Sequence, residues 1–328
     1  MIRISCLAAL LALGIGGNAP AFADEQSPLE GVHRVVFLGD SITYSGQFVE
    51  DVEAYLRLKD PGLDCEFLDI GLPSETVSGL SEPGHAGGAF PRPSLGERVD
   101  RVLAATRPDL VVVCYGMNDG IYYPYGDERF AKYREGIESV RAKAQAAGAR
   151  VLHLTPPVFD AVPVKASTLP AGLSEYRQPY TGYDEVLNLY GAWLLAQRGN
   201  GWDVVDLHGP IEQYLAHQRV HNPDFRLAGD GVHIDATGQW LIARELLKHW
   251  GVPAGEVMGE SDPEKVLGAL PNGLEVLKLV QSKQRMLKDS WLTETRHKRP
   301  GMKKGLPMAE AQAKAGEIDG EIRKLLKP

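Results

Sequence analysis

The sequence predicts an α/β fold built on a five-stranded parallel sheet with helices on both faces, followed by an α-helical appendage at the C-terminus. Three observations predict it. Up to residue 250, five short apolar runs alternate with segments of helical period, the alternation that a parallel sheet with right-handed crossovers requires. The run at residues 110–115 (LVVVCY) is apolar without interruption, as in a central strand covered on both faces. From residue 251 onward no β-run occurs, and the pattern turns charged and amphipathic.

The elements follow in order. Residues 33–38 (HRVVFL) make the first strand, which ends in Gly39-Asp40-Ser41; residues 47–59 then place Phe48, Val52, Tyr55 and Leu56 at helical spacing. Residues 64–70 (DCEFLDI) make the second strand, and a long loop rich in Gly, Pro and Ser occupies residues 71–93. A helix over 95–105 puts Leu95, Val99 and Val102 on one face. The third strand, 110–115, ends in Gly116-Met117-Asn118-Asp119. A helix carrying Phe130, Tyr133, Ile137 and Val140 leads to a fourth strand at 150–154, stopped by Pro156-Pro157. A helix at 186–196 precedes the fifth strand at 202–207, and another covers 236–250. In the appendage, 263–290 reads as helical, 291–306 as basic and broken by Pro300, and 308–326 as helix again.

Composition narrows the classes. With 328 residues, 44% of them hydrophobic and 24% charged, the chain accommodates one sizeable α/β domain plus an appendage, and neither disorder, collagen nor coiled coil fits. The formal net charge of −8 argues against a nucleic-acid partner, since a polyphosphate needs a concentrated positive field. Residues 1–23 have the pattern of a secretory signal peptide: Arg3, an apolar stretch over 7–15, and Ala21-Phe22-Ala23 as the cleavage site before Asp24. That stretch is shorter than the ~20 residues of a membrane span. The expected organisation is therefore a leader (1–23), a catalytic domain (24–254) and a helical extension (255–328), in a secreted or periplasmic protein without a stable membrane span after cleavage. Cys6 leaves with the leader. Cys65 and Cys114 lie on strands that a third separates, too far apart for a disulfide, so two free buried thiols are expected.

Three blocks carry chemistry. Gly39-Asp40-Ser41-Ile42-Thr43 stands where a strand meets a helix, at the carboxyl edge of the sheet where open α/β folds place their sites. Asp230-Gly231-Val232-His233 precedes the helix from Ala236. An imidazole makes a serine hydroxyl nucleophilic by taking its proton, and a carboxylate fixes the imidazole's tautomer; Asp230 and His233 supply both from one turn. Asn118 offers a side-chain amide at the end of the central strand, suited to an oxyanion. Taken singly, each block has an ordinary reading: a helix cap, a solvated pair, a turn.

In this order the three blocks resemble those of the SGNH (GDSL-type) hydrolase family, over roughly residues 35–250. The resemblance implies a flavodoxin-like three-layer α/β/α sandwich, a Ser-His-Asp triad and a three-donor oxyanion hole. By position it makes Ser41 the nucleophile and a backbone donor, Asn118 a side-chain donor, His233 the base and Asp230 its orienting carboxylate. In the remaining block many members have Asn-x-Gly-x-x-Gly-Asp-Thr. This chain reads Asp69-Ile70-Gly71-Leu72-Pro73-Ser74-Glu75-Thr76, with Ser74 at the donor glycine. A backbone N–H survives that change, so Ser74 is the expected third donor, with Gly71 as the alternative.

Outside the blocks, His153 reads as a core or sheet-end residue. His85, Gly87, Gly88 and Arg92 belong to a loop beside the Ser74 block and read as substrate-binding or as ordinary loop residues, Tyr122, Tyr123 and Tyr125 read as an aromatic wall for a sugar or as packing, and Lys298, Arg299, Lys303 and Lys304 as a solvated basic face. No metal or nucleotide motif occurs, and no cofactor is expected. The expected partner is a small-molecule or polysaccharide ester. The function that follows is an exported esterase acting on an O-acyl, chiefly O-acetyl, group of a carbohydrate, with a lipolytic acyl hydrolase of lysophospholipase or thioesterase type, or an inactive carbohydrate-binding relative, as the alternatives.

Overall fold

A computed structural model of the chain describes residues 29–327, so the expected leader and its cleavage site lie outside the described residues. The elements run β1 (Arg34–Gly39), α1 (Ser41–Ser45), α2 (Gln47–Lys59), β2 (Glu66–Asp69), α3 (Val99–Thr106), β3 (Leu110–Cys114), α4 (Asp127–Ala146), β4 (Arg150–Leu154), α5 (Tyr183–Ala196), β5 (Asp203–Val205), α6 (His208–Arg219), α7 (Ala236–His249), α8 (Ala254–Val257), α9 (Pro263–Gly268), α10 (Gly273–Glu294) and α11 (Met308–Leu325).

The sheet is parallel throughout, in the order β2-β1-β3-β4-β5. All five residues of β3 are buried, as its unbroken apolar run demands. Helices α2 and α7 pack on each other over one face, while α4 neighbours α3 and stacks aromatic rings on α5 over the other. This is the three-layer flavodoxin-like order. Its switch point falls between β1 and β3, whose adjoining carboxyl ends open a crevice, the place where such sheets bind ligands.

Two helix readings change. The helix expected over 95–105 divides into a short 3₁₀ turn at Leu95–Glu97 and α3, because Arg98 leaves helical geometry and buries its guanidinium against Glu75. The helix expected over 263–290 divides at Asn272, whose φ of 58° is left-handed; α10 then continues to Glu294, taking in residues expected to be irregular. Helix α6 was not anticipated.

The C-terminal helices pack directly on the sheet domain. α10 lies against α2 and along β2, which is an edge strand, and Gln284 Nε2 donates to the outward Phe67 carbonyl at 2.7 Å. An unpaired strand edge is thereby covered. Cys65 and Cys114 are both free and buried, on either side of β1. Among the described residues no helix is long and apolar enough to cross a membrane.

Candidate active site

Ser41 owes its position to the turn between β1 and α1. Asp40 caps α1, its Oδ1 accepting the Ile42 N–H at 2.9 Å. A Cβ at Gly39 would stand 2.0 Å from Thr43 Oγ1 and 2.8 Å from the Cys114 carbonyl, so only glycine lets the strand turn this tightly into the helix. Ser41 therefore opens the first turn of α1 at the carboxyl edge of the sheet. Burial pushes the Asp40 carboxyl up to about 7; the negative charge of Asp119 adds to this, and the Ile42 N–H, His233 and Arg92 oppose it.

His233 arrives from the opposite side, in the loop before α7. Asp235 caps that helix by accepting the Gly238 N–H at 3.0 Å. Just upstream, Asp230 Oδ1 accepts the backbone N–H groups of Val232 (3.0 Å) and His233 (2.8 Å), a side-chain-closed turn that leaves Oδ2 for the ring. The His233 Nδ1 lies 2.6 Å from Asp230 Oδ2, and Nε2 lies 2.8 Å from Ser41 Oγ. With a proton on Nδ1 held by the carboxylate, Nε2 is left as an acceptor for the serine. Burial alone would raise the Asp230 carboxyl, but the hydrogen bonds from His233 and Val232 outweigh it and hold the group below its ordinary value. His233 and Asp230 are both about half exposed, so the pair is open to solvent.

Asn118 follows β3 and is almost wholly buried. Its Oδ1 accepts from Arg92 Nη1 at 2.8 Å and from Tyr122 Oη at 3.2 Å. A guanidinium can only donate, so the amide orientation is fixed, with Nδ2 turned the other way. One Nδ2 proton goes to the Glu75 carbonyl at 3.2 Å; the second has no acceptor among the described residues. Arg92 is itself held by a two-pronged pair with Glu82, both contacts at 2.6 Å, and lies 5.3 Å over the Tyr122 ring. The loop residue expected to meet substrate thus braces Asn118.

Ser74 has a φ of 68°, the left-handed conformation that a glycine at this position would take freely. The Gly71 N–H is already donated to Asp69 Oδ1 at 2.9 Å, whereas the Ser74 N–H has no acceptor among the described residues. Glu75, the next residue, is locked in the interior. Arg98 grips both its oxygens at 2.7 Å and donates to the Ile70 carbonyl, and the Tyr115 hydroxyl donates to Glu75 Oε2 at 2.5 Å. Breaking a buried pair of this kind costs ~3–5 kcal/mol. This network holds Ser74 in place, and no sequence motif announces it.

Ser41, His233 and Asp230 thus form one hydrogen-bonded line, with Ser74 and Asn118 on the loops after β2 and β3. The other sequence candidates are more scattered. His85 sits 3.4 Å from Glu82 and packs edge-on against Phe90. Tyr122 and Tyr123 line a cavity of about 660 Å³ together with Tyr176, Arg177 and the backbone of Gly87 and Gly88. Tyr125 stays outside it, bonded to Asp127 and largely exposed. His153 is fully buried in β4, stacked on Trp202 with ring centroids 4.9 Å apart.

The fold, with this arrangement at the β1/β3 crevice, is that of an α/β hydrolase, and the family match makes it one that acts on ester bonds. The chain belongs to the GDSL-like Lipase/Acylhydrolase family, which matches residues 37–241. No curated protein sequence matches it. Among solved structures it is similar to a gut microbial diltiazem-metabolizing enzyme, with a TM-score of 0.53 and 19% identity over 67% of this chain; the chain spans only 47% of that enzyme's length. It is also similar to Axe2, an acetylxylan esterase from Geobacillus stearothermophilus, with a TM-score of 0.50 and 19% identity over 67% of this chain and 95% of that one. At these identities the likeness is one of fold.

Proposed function

We propose that the chain is an exported serine esterase that removes an O-acyl group, acetyl foremost, from a carbohydrate. The observation that carries the chemistry is the continuous line from Ser41 Oγ through His233 to Asp230; the Ser74 N–H and the second Asn118 Nδ2 proton, on the loops after β2 and β3, have no acceptor among the described residues. His233 Nε2 takes the hydroxyl proton as Ser41 Oγ attacks the ester carbonyl. The N–H groups of Ser41 and Ser74 and the Asn118 amide receive the oxyanion. Collapse returns the proton from His233 to the departing alcohol and leaves an acyl-Ser41. Water, deprotonated by His233, then attacks this ester, releasing the carboxylic acid and restoring the serine.

Substrate class follows from the surroundings. A cavity lined by Tyr122, whose hydroxyl donates to Asn118, has tyrosine rings, charged side chains, prolines and glycine backbone on its walls, which supply stacking faces and hydrogen-bond partners for a sugar. An acyl chain would need an apolar slot instead. Acetylated polysaccharide, the substrate class named for Axe2, fits this cleft. Export rests on the leader pattern of residues 1–23; N-terminal sequencing of the mature protein is expected to begin at Asp24.

The test is hydrolysis of an aryl acetate and acetate release from acetylated xylan, with Ser41→Ala as control. Wild type is expected to act on both and the variant on neither. Equal inactivity of the two proteins with retained glycan binding would overturn the esterase reading, and release only from longer acyl esters would overturn the carbohydrate reading.

A further inference from the structure

Lys288 stands in the middle of α10, outside the segment matched by the family, and is buried. Its ammonium donates to the Tyr44 carbonyl in α1, lies 4.4 Å from the centroid of the Tyr44 ring, and sits 3.7 Å from Asp69 Oδ2. Both ends of this contact lead to the catalytic loops. Tyr44 is three residues beyond Ser41 on the same short helix. Asp69 ends β2, and its other oxygen holds the Gly71 N–H at the start of the loop that carries Ser74. The two loops also touch directly: a Cβ at Gly71 would stand 2.4 Å from the Tyr44 nitrogen. The neighbouring Asp289 extends the contact, accepting weakly from the Tyr44 hydroxyl at 3.4 Å.

We infer that Lys288 is a positioning residue for the esterase reaction, a cation supplied by the C-terminal extension that fastens the Ser41 helix to the Ser74 loop. The inference rests on the esterase reading. A five-residue helix has little rigidity of its own, because its terminal N–H and C=O groups outnumber its internal hydrogen bonds. Lys288 satisfies one of those carbonyls and is charge-matched to the carboxylate on the other loop, so nucleophile and oxyanion donor move together. The extension then forms part of the catalytic apparatus.

The experiment compares Lys288→Met with Lys283→Met in the full chain. Lys283 is an equally buried lysine of the same helix, but it pairs with Glu53 (2.5 Å) and Asp319 (2.8 Å) and touches neither catalytic loop. For each, kcat and KM on an aryl acetate are measured per active site, counted by a serine-directed phosphonate. Lys288→Met is expected to lower kcat at least tenfold with KM within about twofold, since a misplacement of ~1 Å at reacting groups costs on the order of 100-fold. Lys283→Met is expected to leave kcat per active site within about twofold while lowering thermal stability. Unchanged kcat in Lys288→Met, or an equal loss in both variants, would overturn the inference. If the methionine variant does not fold, Lys288→Leu, which likewise offers neither a donor for the Tyr44 carbonyl nor a charge for Asp69, and Lys288→Arg, which keeps both, are compared: a loss of kcat in the first that the second restores is expected, and equal kcat in the two would overturn the inference. An inactive wild type would instead overturn the esterase reading, so the two failures are distinct.

Discussion

The Asn118 amide can present either its oxygen or its nitrogen to a reacting ester, and three neighbours decide which. Arg92 and Tyr122 donate to Oδ1 while the Glu75 carbonyl takes one Nδ2 proton, leaving a single N–H to meet an oxyanion. Truncation to Asn118→Ala removes that donor at the moment charge develops. It is expected to lower kcat by about 10²–10³ with little change in KM, measured on an aryl acetate; a change confined to KM would place Asn118 in ground-state binding instead. Ser74 poses a different question, since it contributes a backbone group from a conformation unfavourable to any side chain. A left-handed φ costs an L-residue ~1–2 kcal/mol, and the greater unfolded-state entropy of glycine offsets ~0.5–1 kcal/mol of the relief. Ser74→Gly is therefore expected to stabilise the protein by about 0.5–1 kcal/mol in urea unfolding, with kcat within about twofold of wild type because the N–H remains. A tenfold loss of kcat would show that the Ser74 hydroxyl, absent from this account, takes part.

Among the elements, those set by local periodicity were legible and those set by distant partners were not. β3 could be read from its apolar run, because burial on both faces leaves no place for a polar residue. The approach of Ser41, His233 and Asp230 to one another was expected from the order of their blocks, which is a property of the chain, and the structure brings these three side chains into one hydrogen-bonded line. The break at Arg98 was not expected, since its cause is Glu75, 23 residues upstream. The preference for Ser74 over Gly71 came from its position in the block alone; its physical basis, that Asp69 accepts the Gly71 N–H, depends on φ/ψ values that no composition reveals. The packing of α10 on the β2 edge was likewise invisible, because its amphipathic pattern shows that a face is buried and not against what. Strand order, by contrast, yields a prediction about the thiols. Cys65 and Cys114 flank β1, so they are not bonded to each other, and burial raises both thiols, Cys65 to about 12. Thiolate, the reactive form, is scarce at neutral pH. The mature protein is expected to resist a thiol-disulfide reagent when native and to release two equivalents of signal in denaturant without prior reduction; a smaller yield in denaturant would mean an oxidised pair.

At the scale of the whole molecule, the interior holds unusually many ionisable groups, and they pull stability in opposite directions as pH changes. Asp40, Glu50, Asp69 and Asp119 have carboxyls raised chiefly by burial, to about 7, 7, 6 and 6. A raised acid favours the native state at low pH, and that contribution is lost as pH rises through the folded value. His153 acts in the opposite sense. Burial first, then the charge of Arg141, lowers its pKa to about 3, against a weaker upward pull from Asp203, and neither ring nitrogen has a hydrogen-bond partner among the described residues. The unfolded chain takes up a proton near pH ~6.5 that the native ring refuses until near its folded value. Its contribution is thus fully present above pH ~6.5 and falls by at most ~1.4 kcal/mol per pH unit below it. Comparing wild type with His153→Leu isolates this effect, because the carboxylates are common to both and cancel. Between about pH 7 and pH 5, wild type is expected to lose about 2 kcal/mol of unfolding free energy relative to the variant, read from urea melts at the two pH values. A difference that does not change with pH would mean that His153 is already charged when folded, or that it reaches solvent through an opening of β4 and β5.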